Sequence, residues 1–184
     1  MLVKLQNIWN SYMDFQYDQA SVIAIFLFVV SIAALYFIRK KYHIPLKKRD
    51  ILILLLFSIY MTILLELTLF NRSRGVSYRI ELRPLWSYIE TIFNRNRPLG
   101  LQIFHNILAF IPFGIFLGRM SNQAMSLKSA LIIGALLSCG IELCQLIFRC
   151  GLCELDDVLD NTIGTAIGYG SWCGAVRLSA KVRR

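Results

Sequence analysis

Residues 127–148 read LKSALIIGALLSCGIELCQLIF, a run whose charges are Lys128, at its start, and Glu142. A helix needs roughly 20 mostly apolar residues to cross about 30 Å of hydrocarbon. This run meets that length, and four others meet or approach it. Ser21–Ile38 carries no charge, and Ile51–Phe70 carries Glu66 alone. The segment from about Leu101 to Gly118 is uncharged but holds His105 and Asn106, and the one from about Val158 to Val176 is Gly-rich and holds Asp160 and Asn161. The pattern predicts an all-α, polytopic transmembrane bundle of about five spans.

Composition agrees. Of 184 residues, 57% are hydrophobic and 17% charged, whereas soluble domains run near 45–50% and about 25%. The net charge of +9, from 20 Lys and Arg against 11 Asp and Glu, taken alone points to nucleic acid. The basic residues instead flank apolar runs and form no aromatic-interleaved basic domain. A nucleic-acid module, a disulfide-stapled secreted domain and a disordered tail are excluded. Five spans leave no room for a separate soluble domain. The expected division is residues 1–50 (tail, first span, basic loop), 51–178 (four spans) and 179–184 (basic tail).

The N-terminus does not read as a cleavable signal. Lys4 is set against Asp14 and Asp18, the apolar run is long, and no A-x-A site follows it. Arg39, Lys40, Lys41, Lys47, Lys48 and Arg49 follow the first span. The positive-inside rule places that loop in the cytoplasm, the N-terminus outside, and the C-terminal Arg177, Lys181, Arg183 and Arg184 inside. The expected location is therefore the cell membrane, multi-pass.

The loop 71–100 then falls outside, although it carries Arg72, Arg74, Arg79, Arg83, Arg95 and Arg97 and no Lys. Guanidinium presents a planar fork suited to carboxylate or phosphate; at a membrane edge such residues also snorkel. Leu85, Trp86, Ile89, Ile92 and Phe93 follow helical spacing. With Pro84 at the first helical position, and with Tyr88, they predict a short helix in the interface.

Ionisable groups within spans are costly and face protein interiors. With alternating spans, Glu66 and Arg72, His105 and Asn106, Glu142, Gln145 and Arg149, and Asp156, Asp157 and Asn161 all gather at one membrane face, the external one if the N-terminus is outside. Glu142, Gln145 and Arg149 stack on one helix side, as do Asp157 and Asn161; Glu142 with Arg149 would suffice as a structural pair. Gly164 with Gly168, and Gly114 with Gly118, are small-residue pairs that let membrane helices approach closely. Pro112 would kink its helix and free a carbonyl.

Cys150 and Cys153 form a C-x-x-C between two spans, away from any βαβ context and without further zinc ligands nearby. They read as plain loop cysteines, with a disulfide open to them if the loop is external. Cys139, Cys144 and Cys173 read as small packing residues. No metal and no cofactor is expected.

The stretch from Asn106 through Ile-Leu-Ala-Phe-Ile-Pro-Phe to Gly114, then Ile141-Glu-Leu-Cys-Gln145 with Arg149, then Asp157-Val-Leu-Asp-Asn-Thr-Ile-Gly164, resembles the VanZ-like family. The resemblance spans about Leu52 to Gly170 and joins three motifs in order. It implies a small polytopic membrane protein of the cell envelope that lowers susceptibility to glycopeptides such as teicoplanin. It names no reaction. Asn106, Pro112, Gly114, Glu142, Gln145, Arg149, Asp157, Asn161 and Gly164 occupy the motif positions.

Two function classes fit. The first is a non-enzymatic envelope protein whose external polar pocket binds an anionic lipid, a lipid-linked peptidoglycan precursor or the drug. Its binding candidates are Glu66, Arg72, Arg83, Asn106, Glu142, Gln145, Arg149, Asp157 and Asn161. The second is a membrane enzyme acting on a lipid headgroup or lipid pyrophosphate. Glu142 or Asp157 would then be general base and His105 a proton shuttle, although no hydrolase signature is present. A transporter fits poorly: there is no inverted repeat, and the charges sit at one face. The lipid bilayer is the sure partner, and a homo-oligomer is compatible with the sequence.

Overall fold

The computed structural model describes residues 48–70, 78–121 and 125–182, and residues 25, 26, 29, 30 and 33. Apart from those five residues, the expected first span lies outside the described residues, as do the basic cluster Arg39–Lys47, Arg72, Arg74 and the last two arginines. The chain divides into two compact units, Met1–Leu67 and Thr68–Arg184.

In the first unit, α1 (Lys48–Leu65) runs into a π-helical turn, Glu66–Phe70, that crosses the boundary between the units. Its two buried hydroxyls are satisfied within the helix. Ser58 Oγ donates to the Leu54 carbonyl and Thr62 Oγ1 to the Ser58 carbonyl, each at 2.8 Å. That back-bonding is how a hydroxyl is carried into an apolar helix without a stranded donor.

The second unit contains β1 (Ile80–Glu81), α2 (Trp86–Phe93), α3 (Arg97–Met120), α4 (Leu127–Phe148), β2 (Cys153–Glu154) and α5 (Leu155–Val182). β1 and β2 pair in parallel, Ile80 with Cys153 and Glu81 with Glu154. The starts of α3 and α4 follow local chemistry. Asn96 accepts the Leu99 N–H ahead of α3, where Pro98 occupies the first turn, and Ser126 Oγ accepts the Ser129 N–H ahead of α4. α3 continues through Pro112 to Met120.

α5 packs chiefly on α3 and next on α4. The α3–α5 seam is closed by backbone. A methyl group at Gly164 would meet the Ile107 carbonyl oxygen, one at Gly168 the Ile111 carbonyl oxygen, and one at Gly114 the Thr165 carbonyl oxygen. At Gly118 it would meet the Trp172 ring, and at Gly134, on α4, the Thr165 side chain. Tyr169 Oη donates to the Met125 carbonyl, tying the middle of α5 to the chain entering α4.

Among the described residues, three helical stretches are long and apolar enough to cross a membrane: Lys48–Leu69, Arg97–Met120 and Leu127–Phe148. They extend the expected second and third spans by a few residues and match the fourth. α5 is longer still, at 28 residues, but its three aspartates, Asn161 and glycines keep it below that apolar level.

Burial runs inside out. α4 buries Ala130, Gly134, Ser138, Ile141, Glu142 and Gln145 at helical spacing, while Leu136, Leu143 and Ile147 on its other sides are exposed. Apolar exterior and polar interior is the arrangement expected where the solvent is hydrocarbon.

Candidate functional site

The first turns of α5 organise the polar end of the second unit. Asp156 and Asp160 are i, i+4 and form one stripe; Asp157 and Asn161 form the next. All four are buried, and each stripe serves a different neighbour.

The first stripe holds α2. One Asp156 carboxylate oxygen accepts the Leu85 N–H at 2.6 Å; the other accepts the Ser87 N–H at 2.9 Å and the Ser87 hydroxyl at 2.7 Å. Leu85 sits at the helix start with φ 61°, in the left-handed region, and its own side chain caps nothing. Asp156 therefore acts as an N-cap supplied from a distant helix, satisfying the donors that a helix start leaves over. Pro84 lies in the turn before Leu85 and not at the first helical position; the left-handed Leu85 between it and Trp86 is the reason. One turn further along α5, Asp160 accepts the Tyr88 hydroxyl. Burial, then that bond to Asp160, raises the Tyr88 phenol above its ordinary pKa, so it stays a donor.

The second stripe holds α3 and α4. Asp157 Oδ1 accepts Gln102 Nε2 at 3.0 Å and Asn106 Nδ2 at 2.8 Å. Gln102 also reaches Glu154 Oε2 at 3.3 Å. Asn161 Nδ2 donates to Ser138 Oγ on α4 at 2.8 Å. Glu142 accepts the Glu154 N–H at 2.9 Å and so fixes β2.

At the end of α4 the chain turns through Arg149, which has φ 55°, a left-handed position that glycine usually fills. Its guanidinium lies 4.4 Å over the Tyr78 ring and donates to the Tyr78 hydroxyl at 3.0 Å. Arg83 pairs through two of its three guanidinium nitrogens with Glu81, Nε to Oε1 at 2.9 Å and an η nitrogen to Oε2 at 2.7 Å, and lies 5.9 Å from the Trp86 ring centre. The Arg83 guanidinium lowers the Glu81 carboxyl to about 2. Gln145 Nε2 donates to the Thr68 carbonyl at 3.2 Å; its Oε1 is buried with no hydrogen-bond partner.

Of the sequence-derived site residues, Asn106, Asp157 and Glu142 thus join through Gln102 and Glu154 in one network, Asn161 bonds Ser138 one turn after Asp157, and Gln145 lies one turn after Glu142 on α4. Arg83 and Arg149 lie on the segments that this network anchors. His105 does not join: it is exposed beside Phe104, while its neighbour Asn106 turns to Asp157. Glu66 is half-buried in the π turn of the first unit, and Arg72 is outside the described residues. Gln102 and Glu154 also belong to that network, and Asp156 with Ser87 and Asp160 with Tyr88 are the links to α2 beside it. The i, i+4 spacing of Asp156 and Asp160 was a usable signal. Nothing local marked Ser87 and Tyr88, whose partners lie about 70 positions away.

All five cysteines are free thiols. Cys150 is buried, and the Cys153 thiol is pushed up in pKa by burial and then by the Glu142 charge, which disfavours the thiolate. Among the described residues no three His, Cys, Asp or Glu side chains are grouped to hold a metal ion.

A family model described as VanZ/LLP1 matches residues 51–177, the stretch containing α1, the polar network and the glycine seam. The chain belongs to the VanZ/LLP1 family. With three helices of membrane-crossing length, it is a VanZ-like membrane protein. No curated protein and no solved structure matches it.

Proposed function

We propose that this VanZ-like protein crosses the cell membrane five times, with its N-terminus outside and C-terminus inside. Its polar end, on the external face, lowers susceptibility to glycopeptides such as teicoplanin. There it binds the phosphate or carboxylate of an anionic lipid, a lipid-linked wall precursor or the drug.

The observation that carries this reading is the seating of the arginines. Arg149 is exposed at the end of α4 and stacks on Tyr78, which begins the segment bearing Arg79 and Arg83. The buried Asp156 is occupied in capping α2, the helix that follows this segment, while Asp157 and Glu142 hold α3 and β2. Carboxylates inside and guanidinium groups outside suit an anionic partner. Arg72 enters this reading from the sequence alone.

Arg149→Gly is the decisive variant, because glycine tolerates the left-handed backbone while the guanidinium is lost. Loss of teicoplanin protection at normal protein level is expected; full protection would remove Arg149 from the binding role. Sidedness is read with an impermeant maleimide on Arg95→Cys in intact cells, the parent chain serving as blank. Labelling is expected without permeabilisation. Labelling only after permeabilisation would put the polar end in the cytoplasm and end direct contact with wall precursors.

A further inference from the structure

α2 has its polarity turned the wrong way for a helix packed on a protein. Its inward side is polar: Ser87 is 3% exposed and bonded to Asp156, and Tyr88 is bonded to Asp160. Its outward side is apolar, with Leu85 and Ile89 about half exposed, Ile92 at 68% and Phe93 at 78%. Four large side chains in one contiguous exposed strip mark an interaction surface and not chance exposure.

The occupant is indicated by position and charge. The segment joins α1 to α3, both of membrane-crossing length, and a segment between two crossing helices begins and ends at the level of the headgroups. The stretch 78–97 carries Arg79, Arg83, Arg95 and Arg97 against Glu81 and Glu90, and all four arginines are exposed. An apolar edge between cationic ends is the chemistry of a helix lying in an anionic leaflet.

We infer that α2 is a monolayer wedge: Leu85, Ile89, Ile92 and Phe93 enter the acyl region of one leaflet, and Arg95 and Arg97 collect anionic phospholipid around it. Asp156 and Asp160 act as the anchor on the protein side. The carboxylates bear the polar face, so the apolar face needs no protein partner. This inference rests on the membrane location and is independent of any role in drug susceptibility.

The test uses the full-length protein in vesicles of equal parts phosphatidylglycerol and phosphatidylcholine. Trp9, Trp86 and Trp172 are replaced by Phe, and Phe93→Trp or, separately, Ile89→Trp supplies the reporter. Lipids brominated along the acyl chain are expected to quench most of the emission, and acrylamide to quench little. Brominated phosphatidylglycerol should quench more than brominated phosphatidylcholine, and Arg95→Gln with Arg97→Gln should abolish that preference. Free access of acrylamide with no effect of brominated lipid, at both reporter positions, would overturn the wedge. Equal quenching by the two lipids in the parent arginine background would overturn the recruitment of anionic lipid.

Discussion

The first turns of α5 and the stretch two turns further along hold their neighbours close by opposite means. Around Asp156 and Asp157 closeness comes from carboxylates, each taking two or more donors from another element. Around Gly164 and Gly168 it comes from the lack of a side chain, so that α5 backbone lies against the carbonyls of Ile107 and Ile111. The polar end is directional and gives each neighbour a distinct position. The seam is not directional and only sets how near α3 may come. Together they fix a loop segment from one helix that is itself gripped in its middle.

The contrast is broken most severely at the seam. Gly168→Leu places a side chain where a backbone carbonyl stands, and overpacking of that kind costs about 3 kcal/mol or more. Detergent-purified protein should lose its cooperative melt or aggregate, with Gly168→Ala intermediate. A parent-like melt for the leucine variant would show that the close approach does not exist.

At the polar end, Asp156→Ala should cost on the order of 3 kcal/mol, because buried donors that bonded a charged group are left unmatched. The loss should be local as well as global. Amide exchange should rise across 84–93 while the α3–α5 seam stays protected, and Asp156→Asn should lie between the two. Uniform exchange across both regions would mean that Asp156 does not cap α2.

The smallest effect is expected at the exposed Glu81–Arg83 pair. The folded carboxyl is lowered from its ordinary 4.5 to about 2, so the unfolded chain takes up the proton first. Any contribution of the pair to stability is complete above about pH 4.5 and fades as pH falls towards 2. The melting difference between parent and Arg83→Gln should be slight at neutral pH, screened by solvent, and vanish in acid. A difference that grows in acid would contradict the pairing.

The sequence disclosed more about the seam than about the polar end. Glycine pairs at i, i+4 within apolar runs announce close packing, because few other reasons place them there. Asp157 and Asn161 were likewise readable as one helix side, and the chain alternation brought them to the face where Asn106 and Glu142 stand. It could not show that Asp157 takes Asn106 while leaving His105 exposed. Adjacent residues on a helix point about 100° apart, and which of them faces inward is decided by packing. The start of α2 was less legible still. Pro84 is an ordinary first-turn residue, and the left-handed Leu85 that displaces the helix is stabilised by a carboxylate 71 positions later. The weakly apolar α5 hides its nature for a related reason: its polar residues are matched by protein groups that no window of local sequence contains.

The distant cap on α2 bears on biogenesis. An eight-residue helix is far below the length at which a helix holds in isolation, and its capping carboxylate is synthesised some seventy residues after it. While the intervening helices emerge and insert, residues 84–93 lack the group that organises them. Residues 84–93 thus gain their capping group only when α5 docks. A chain stalled before Leu155 would carry its membrane-length helices and no formed surface segment.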